Sequence, residues 1–403
     1  MTYKAEVTVI GAGASGMPAA IQAASRQKKV ILVDKNDSPG RKILASGNGR
    51  CNIMNLGRPK YYGNTEFAEK VLKRCPPEKI ISFFHHYGLM ITEENDGRMY
   101  PYSFQAASVL NVMKNAISIT GVSMMTGFNI LSVENNQNCF LIKGENNDTI
   151  LSRKVVIACG GAAQPKLGGS STGYQILHTL GHTIIPVYPS LVSLTTDKKS
   201  ISGLSGIRSH CQITLIEKGK KIHSEKGEIL FTDYGISGIC VMQCARFTTD
   251  RNTYLEINFL YGLFDDIDSV RIELQRRSHM FPDFSPIRLF DGILPERISY
   301  AVLKQAGISL RGETAGSLTD KELRQIAETV IHYKVIITGT RGMDYAQVTA
   351  GGADCNEFIP ETMESRISKG VYAAGEVLDV DGDCGGFNLM FAISSGIIAG
   401  ESV

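Results

Sequence analysis

A short apolar run, Val7-Thr8-Val9-Ile10, breaks at Gly11; small residues then fill the chain to Ala24, and a second apolar run, Val30-Ile31-Leu32-Val33, follows. Apolar runs this short, bounded by turn residues, predict buried strands, and the stretch between them has the length of a helix. Strand and helix signals alternate in this way to about residue 190. Glu78 to Tyr87 predicts a helix stopped by Gly88, and Gln105 to Thr120 another stopped by Gly121. Val122 to Val133 carries strand signals with a break at Gly127, and Lys154-Val155-Val156-Ile157-Ala158 reads as a buried strand running into Cys159-Gly160-Gly161. From about 190 to 262 the pattern changes to short β segments, such as Gln212 to Glu217 and Glu228 to Thr232. Ile267 to Tyr333 is mostly helical, with one helix starting at Leu294-Pro295-Glu296 and another at Leu318-Thr319-Asp320-Lys321. Lys334 to Thr338 and Gln347 to Thr349 return to strand, and Gly370 to Val403 reads as strand, glycine loop and terminal helix. The expected organisation is an α/β domain (1–190) interrupted by a β insertion (191–262), a helical part (263–333) and a β return (334–348), then completed by 349–403.

The 403 residues exceed what one core usually holds, in keeping with two or three lobes. With 43% hydrophobic and 20% charged residues the chain is an ordinary globular one, and a formal charge of +2 without a dense basic run makes nucleic acid an unexpected partner. No apolar stretch approaches a membrane span, and the N-terminus enters a strand directly, so neither a membrane nor a signal peptide is expected. Nine scattered cysteines, an odd number with no C-x-x-C, fit a reducing cytoplasm. Cys240 and Cys244 have helical spacing among Ile239, Val241 and Met242, which suggests buried packing. His178 and His182 are four apart, but Gly181 separates them and no third ligand is nearby, so no metal site is expected. His85-His86 reads as a partly exposed helical pair.

The turn after the first strand is Gly11-Ala12-Gly13-Ala14-Ser15-Gly16, a G-x-G-x-x-G in the context that gives it meaning. Gly11 allows the tight turn, Gly13 lets a pyrophosphate approach the backbone, and Gly16 lets the helix pack on its strand. The amides around Ala14 and Ser15 open the helix, whose unpaired N–H groups and positive end suit phosphate. Asp34 ends the second strand, where it is placed to accept hydrogen bonds from an adenosine ribose. Two further segments bear on which dinucleotide is bound. Arg41-Lys42 begins a loop, Ser46-Gly47-Asn48-Gly49-Arg50-Cys51-Asn52, that supplies cations for phosphate and backbone donors for a ring edge. Near the C-terminus a strand ends in Gly375-Glu376, a carboxylate suited to ribityl hydroxyls, and Gly386 opens an apolar helix whose positive end suits the pyrimidine edge of a flavin.

These strings carry a resemblance. S-G-N-G-R-C-N, T-A-G-G at 349–352, G-E-V-L-D-V-D-G and G-G-F-N-L resemble the aminoacetone oxidase / bile-acid-inducible flavoprotein family. Gly97 to Pro101, Gly227 to Thr232 and Gly339 to Gly342 match in the same order. The resemblance runs nearly end to end and implies a Rossmann-like FAD-binding domain interrupted by a barrel-like β domain and a helical cap. It places Gly11, Gly13, Gly16, Asp34, Lys35, Arg41, Lys42, Ser46, Gly47, Gly161, Glu376, Asp379, Gly386, Asn388 and Leu389 around FAD, with Ile130 as an adenine contact. Ala14, Ser15, Asn52, Gly160 and Gly375, within the same motifs, complete the expected cofactor set. One departure stands out: many members carry an acid two residues before the Gly173-Tyr174 pair, where this chain has Ser171 and Thr172.

The expected activity is that of an FAD-dependent oxidoreductase acting on a small molecule. Because the flavin carries the hydride, no Ser/His/Asp-type triad is needed. Without a second G-x-G-x-x-G or a redox cysteine pair, NAD(P)H would dock only transiently. The resemblance suggests NAD(P)H-dependent reduction of an activated C=C bond, as in a 3-oxo steroid or bile-acid enone, with Arg50, Tyr100 and Tyr102 as candidates for activating the carbonyl. Tyr100, Tyr102 and Phe391 are candidate pocket aromatics, and the inserted parts are expected to define the pocket. Oxidation of an amine such as aminoacetone, and a flavin-loaded redox-sensing or binding protein, are the alternatives.

Overall fold

The computed structural model describes residues 1–136, 139–248 and 253–403. It divides into two compact units, one formed by Met1–Pro189 with Ala346–Val403 and the other by Ser190–Tyr345.

In the first unit the opening strand, Thr2–Ile10, is central. It pairs in parallel with Val30–Val33 on one side (Val7 opposite Val30, Ile10 opposite Val33) and with Thr149–Ile157 on the other (Ile10 opposite Ile157). Ser123–Met125 extends the sheet beyond Val30–Val33, also in parallel. Thr149–Ile157 is shared along its length: its first half pairs antiparallel with Cys139–Gly144, and its second half pairs in parallel with Val371–Ala373 from the C-terminal part. Strands covered on both faces must be apolar throughout, and Val7, Val9, Leu32, Val33, Val155, Val156 and Ile157 are all buried. The carboxyl ends of three of these strands, at Ile10, Val33 and Ile157, therefore lie side by side, where open α/β sheets bind ligands.

Two helices are packed unusually closely beside this edge. Gly16–Ser25 carries four Ala among its ten residues, and the terminal helix Phe387–Ser402 approaches it through Gly396 and Gly400. A Cβ on Gly396 would collide with the Ser15 carbonyl, and one on Gly400 with the Ala19 carbonyl. The first and last segments of the chain thus form one piece of the core.

The second unit is a closed six-stranded barrel in the order Leu194–Thr196, Gly235–Ser237, Lys220–Phe231, Arg208–Glu217, Thr253–Asn258, Tyr333–Thr340. Its main hairpin is longer than the short segments expected from the sequence. Arg208–Glu217 pairs along its length with Lys220–Phe231 around Lys218 and Gly219, both in the left-handed region at φ 50° and 77°. Lys220 to Lys226 lacks apolar alternation because little of it faces the core, and pairing alone makes it a strand. Asp320–Ile331, opened by a Thr319/Glu322 capping box, packs against Ile267–Met280 and Glu296–Gln305. Val348–Ala353 pairs with Ile184–Ser190 rather than joining the barrel.

Candidate cofactor and active site

At the carboxyl edge of the sheet the glycines of the first turn do separate work. Gly11 sits at φ 104°, and a Cβ there would collide with the Ala158 carbonyl. Gly16 is equally constrained, because its Cβ would strike the Gly11 carbonyl. Gly13 differs: its φ lies outside the left-handed region, and a Cβ would meet nothing within 4 Å. Packing does not require a glycine there, whereas a ligand lying against the backbone would. The helix beyond it starts at Ser15 without a side-chain cap or a first-turn acid, so its N-terminal amides remain available to an anion.

Asp34 does more than wait for a ribose. Its Oδ2 accepts the Ala12 N–H at 2.7 Å, and its Oδ1 accepts from the Asn36 N–H at 2.8 Å and Nδ2 at 2.9 Å. The acid thereby ties the glycine turn to the end of the second strand while keeping an unused lone pair on Oδ2. A cleft opens here, lined by Gly11, Asp34, Lys35, Asn36, Ile130 and Thr172 among others. Ile130, distant in sequence, is thus brought beside Asp34. Gly160 stands nearby on the neighbouring strand's exit, at φ 70° with open space where a Cβ would be. Cys159, also on this cleft, is held by burial as a neutral thiol, its pKa pushed up to about 12.

A second group is organised around Glu376. Its Oε2 accepts from Lys42 Nζ at 2.8 Å, and its Oε1 accepts the Thr349 N–H at 2.9 Å. The Thr349 hydroxyl in turn accepts the Ala163 N–H at 2.9 Å. Gly161 lies directly against Thr349 and Glu376, which leaves no room for a side chain. Gly375, at φ 81°, donates its N–H to Ser395 Oγ and lies against Ser15, joining this group to the first helix. Asp379 faces Gly63, and its carbonyl accepts the Asn64 N–H at 2.9 Å. Arg41 is exposed and reaches Asn36 Oδ1 at 3.4 Å.

The third group is the loop from Ser46 to Asn52. Gly47, Asn48, Gly49 and Cys51 all have left-handed φ, and the turn is held by Ser46 Oγ donating to the Ile43 carbonyl at 2.6 Å and the Cys51 N–H donating to the Ser46 carbonyl at 3.0 Å. Asn52 is 8% exposed, and its Oδ1 is buried with no hydrogen-bond partner. That orphaned acceptor lies against Gly386, the residue before the terminal helix. Gly386 itself sits at φ 107°, and the helix it opens has neither a side-chain cap nor an acid in its first turn. Asn388 holds the preceding loop, accepting the Gly382 N–H and donating to the Gly382 carbonyl, both at 2.8 Å. Leu389 packs half-buried against the core.

Arg50 and Tyr100, both singled out from the sequence, lie together. The guanidinium carbon is 4.7 Å from the centroid of Tyr100 and 4.6 Å from that of Phe104, and Nη2 is paired with Glu94 at 2.6 Å. Tyr100 is buried and lies beneath Gly47, which links the pair to the Ser46–Asn52 loop. Tyr102 stands apart from them, 73% exposed, and Phe391 is buried. Thr349, Asn36, Glu94 and Phe104 were missed by reasoning from sequence. Of these, only Thr349 fell in a segment noted as distinctive, and its role depends on a fold contact with Glu376. His182 is enclosed by Glu357 at 2.9 Å, Ser365 at 3.0 Å and a stacked Phe358 ring. Among the described residues no group of three or more His, Cys, Asp or Glu could hold a metal, and no helix is long and apolar enough to cross a membrane.

The open space at Gly13 and Gly160, the uncapped helix start and the unpartnered Asn52 oxygen are what a dinucleotide with an amide-bearing ring would fill. Fold and fingerprint define the class: an FAD-dependent oxidoreductase on a Rossmann-like domain. The chain belongs to the HI0933-like protein Rossmann domain family, matched over residues 5–402. It is 32% identical over 406 residues to a 3-dehydro-bile acid delta(4,6)-reductase of Clostridium scindens, covering 98% of each chain. A ribosomal RNA dihydrouridine synthase of Escherichia coli is 31% identical over 396 residues, covering 97% of this chain and 96% of that one. The open conformation of a flavocytochrome c3 fumarate reductase aligns with 99% of this chain and 78% of its own, at TM-score 0.49 and 14% identity. The second relative is named for ribosomal RNA, so the absence of a nucleic-acid partner expected from composition is not shown.

Proposed function

We propose that the chain reduces a carbon–carbon double bond conjugated to a carbonyl, taking electrons from NAD(P)H. One observation carries this reading. Two relatives of similar identity are named for different substrates, a 3-dehydro bile acid and a uridine of ribosomal RNA. In both, the named change adds two hydrogens across a C=C bond that a carbonyl activates. The shared operation is the better guide to this chain than either substrate.

FAD, when bound and reduced by NAD(P)H, would supply hydride to the carbon β to the carbonyl, and the α carbon would take its proton from water. Gly11, Gly13, Ala14, Ser15 and Gly16 would take its pyrophosphate through backbone amides, and Asp34, Lys35 and Ile130 its adenosine. Arg41, Lys42, Gly160, Gly161, Gly375, Glu376 and Asp379 would hold the phosphate and ribityl portion. Ser46, Gly47, Asn52, Gly386, Asn388 and Leu389 would meet the ring, and the uncapped first turn after Gly386 offers N–H donors to negative charge there. Arg50 is the residue to polarise the substrate carbonyl. Its ion pair with Glu94 and its two aromatic neighbours fix the guanidinium before substrate arrives, so little ordering cost is left at binding. Tyr100 supports Arg50 from beneath, and exposed Tyr102 is assigned to the rim.

Anaerobic photometry tests the reading. NADH or NADPH should bleach the visible flavin band, and a conjugated enone or a uridine-containing RNA should restore it. Bleaching by aminoacetone instead, with peroxide released in air, would replace the reductase by an amine oxidase. Bleaching by neither would leave a redox-sensing or binding protein. RNA merits its own arm beside the steroid enone, because the Escherichia coli relative is named for it.

A further inference from the structure

At one end of the barrel lies an arginine that the reaction above does not use. Arg208, Arg271, Arg276, Arg277, Arg288 and Arg324 of the same unit each reach a carboxylate. Arg341 reaches none among the described residues. Its guanidinium carbon instead lies 3.4 Å from the ring centroid of Tyr345 and 4.2 Å from that of Tyr234. Cation–π contact engages the faces of a guanidinium and leaves its in-plane N–H donors, beyond the one shared with the Tyr234 hydroxyl, for another partner.

The surroundings are rigid. The Arg341 N–H donates to the Ser193 carbonyl at 3.1 Å, and Ser193 Oγ donates to Ser237 Oγ at 2.9 Å. Gly235, next to Tyr234, faces the Leu194 backbone so closely that no side chain fits, which fixes the tyrosine's attachment. The Tyr345 N–H closes the turn by donating to the Gly342 carbonyl at 3.2 Å. Tyr234 lies close enough to Arg341 to feel its charge. Burial pushes its phenol up, but hydrogen bonds with Ser193, Thr232 and Arg341 and the Arg341 charge outweigh this and hold it below the usual tyrosine value. Tyr345 is 54% exposed, so the cluster is open to a ligand. A fixed, forked cation with aromatic walls and no internal counter-charge is built to receive a planar oxyanion.

We propose that Arg341, flanked by Tyr234 and Tyr345, is a recognition site for an oxyanion, carboxylate or phosphodiester.

Equilibrium dialysis of the FAD-loaded full-length protein tests it with three probes: a short oligouridylate, a 3-oxo-4-ene steroid carboxylate, and the methyl ester of that steroid. Arg341→Ala should weaken one of the two anions by about ten- to a hundredfold, the worth of a charge-assisted hydrogen bond, and leave the ester unchanged. Which anion responds identifies the source of the oxyanion. Arg341→Lys, which keeps the charge but not the fork, should recover only part of the loss. If Arg341→Ala binds both anions as the wild type does, or loses the ester equally, the site is refuted. The two readings fail separately. Arg341-dependent binding without enone or uridine turnover would sink only the reaction, and turnover without Arg341-dependent binding only the site.

Discussion

The two glycines at positions 13 and 16 belong to one motif yet should behave oppositely when each is replaced by alanine. At Gly13 the new methyl meets nothing within 4 Å, and the backbone lies outside the left-handed region. The folded apoprotein therefore loses no contact, while the unfolded chain loses freedom. Such a change stabilises by about 0.4–1 kcal/mol, or roughly 1–4 °C in Tm for a unit of this size. FAD should suffer, because the methyl projects into the space through which a pyrophosphate reaches the amides. Losing one charge-assisted bond costs about 1.5–3 kcal/mol, a tenfold to hundredfold rise in Kd. At Gly16 the methyl strikes the Gly11 carbonyl, and overpacking of this kind costs about 1–3 kcal/mol, or roughly 2–12 °C. The assays are differential scanning fluorimetry on apoprotein and titration of apoprotein with FAD, followed by flavin fluorescence. A Gly13→Ala variant that binds FAD normally would show that this turn is not the pyrophosphate cradle. One whose apoprotein melts well below the wild type would show that its open space has been misread.

Lys42→Met should raise the FAD dissociation constant about tenfold and leave Glu376 with the Thr349 N–H but no cation, measured by the same titration. Arg50→Ala should lower kcat/KM for enone reduction by about 10²–10³ while flavin bleaching by NAD(P)H keeps its rate, since only carbonyl polarisation is lost; equal slowing of both half-reactions would refute that role. Acid should destabilise the fold through His182 and Glu357. Burial holds the His182 imidazole below its usual value against the pull of Glu357, so the unfolded chain binds the extra proton and stability falls as pH drops through about 6.5. Burial pushes Glu357 up, but its bonds with Thr183 and His182 outweigh this, so the carboxylate is held below its usual 4.5 and adds a further loss below that value. Tm measured from pH 8 to 4 should fall less steeply near pH 6 in His182→Gln than in the wild type, and parallel curves would count against His182.

What the sequence made legible is what local pattern can encode. The strand–turn–helix at the N-terminus, the acid ending the second strand and the glycine before the terminal helix each declare themselves within a dozen residues. Periodicity failed where a strand owes its existence to its partner. Lys220 to Lys226 carries too few apolar residues to alternate, and only pairing with Arg208–Glu217 extends it. Likewise the β return was expected to end at 348, with a strand at Gln347 to Thr349, yet which neighbour a strand selects is a tertiary decision, and Val348–Ala353 pairs as one strand with Ile184–Ser190.

The site shows the same division more sharply. Glycines leave a trace wherever the backbone is approached closely, by the protein itself at Gly11 and Gly386, or across open space that a ligand would fill at Gly13 and Gly160. Residues that act through a side chain leave none until the fold brings their partners. Glu376 was legible as a carboxylate at a strand end, but its function as the acceptor for both Lys42 and Thr349 needed segments more than 300 residues apart to meet. Tyr100 and Tyr102 are indistinguishable in sequence, two tyrosines around Pro101. Burial separates them, one beneath Arg50 and the other in solvent. Asn52 makes the point most fully. In sequence it is one polar residue of a glycine-rich loop, whereas in the fold it is a buried oxygen without a donor, at a cost of about 1–3 kcal/mol. We propose that in the bound state this oxygen accepts an N–H of the kind a flavin ring carries on its pyrimidine edge. Asn52→Leu separates the two accounts: it should leave the apoprotein as stable as the wild type or more so, and weaken FAD.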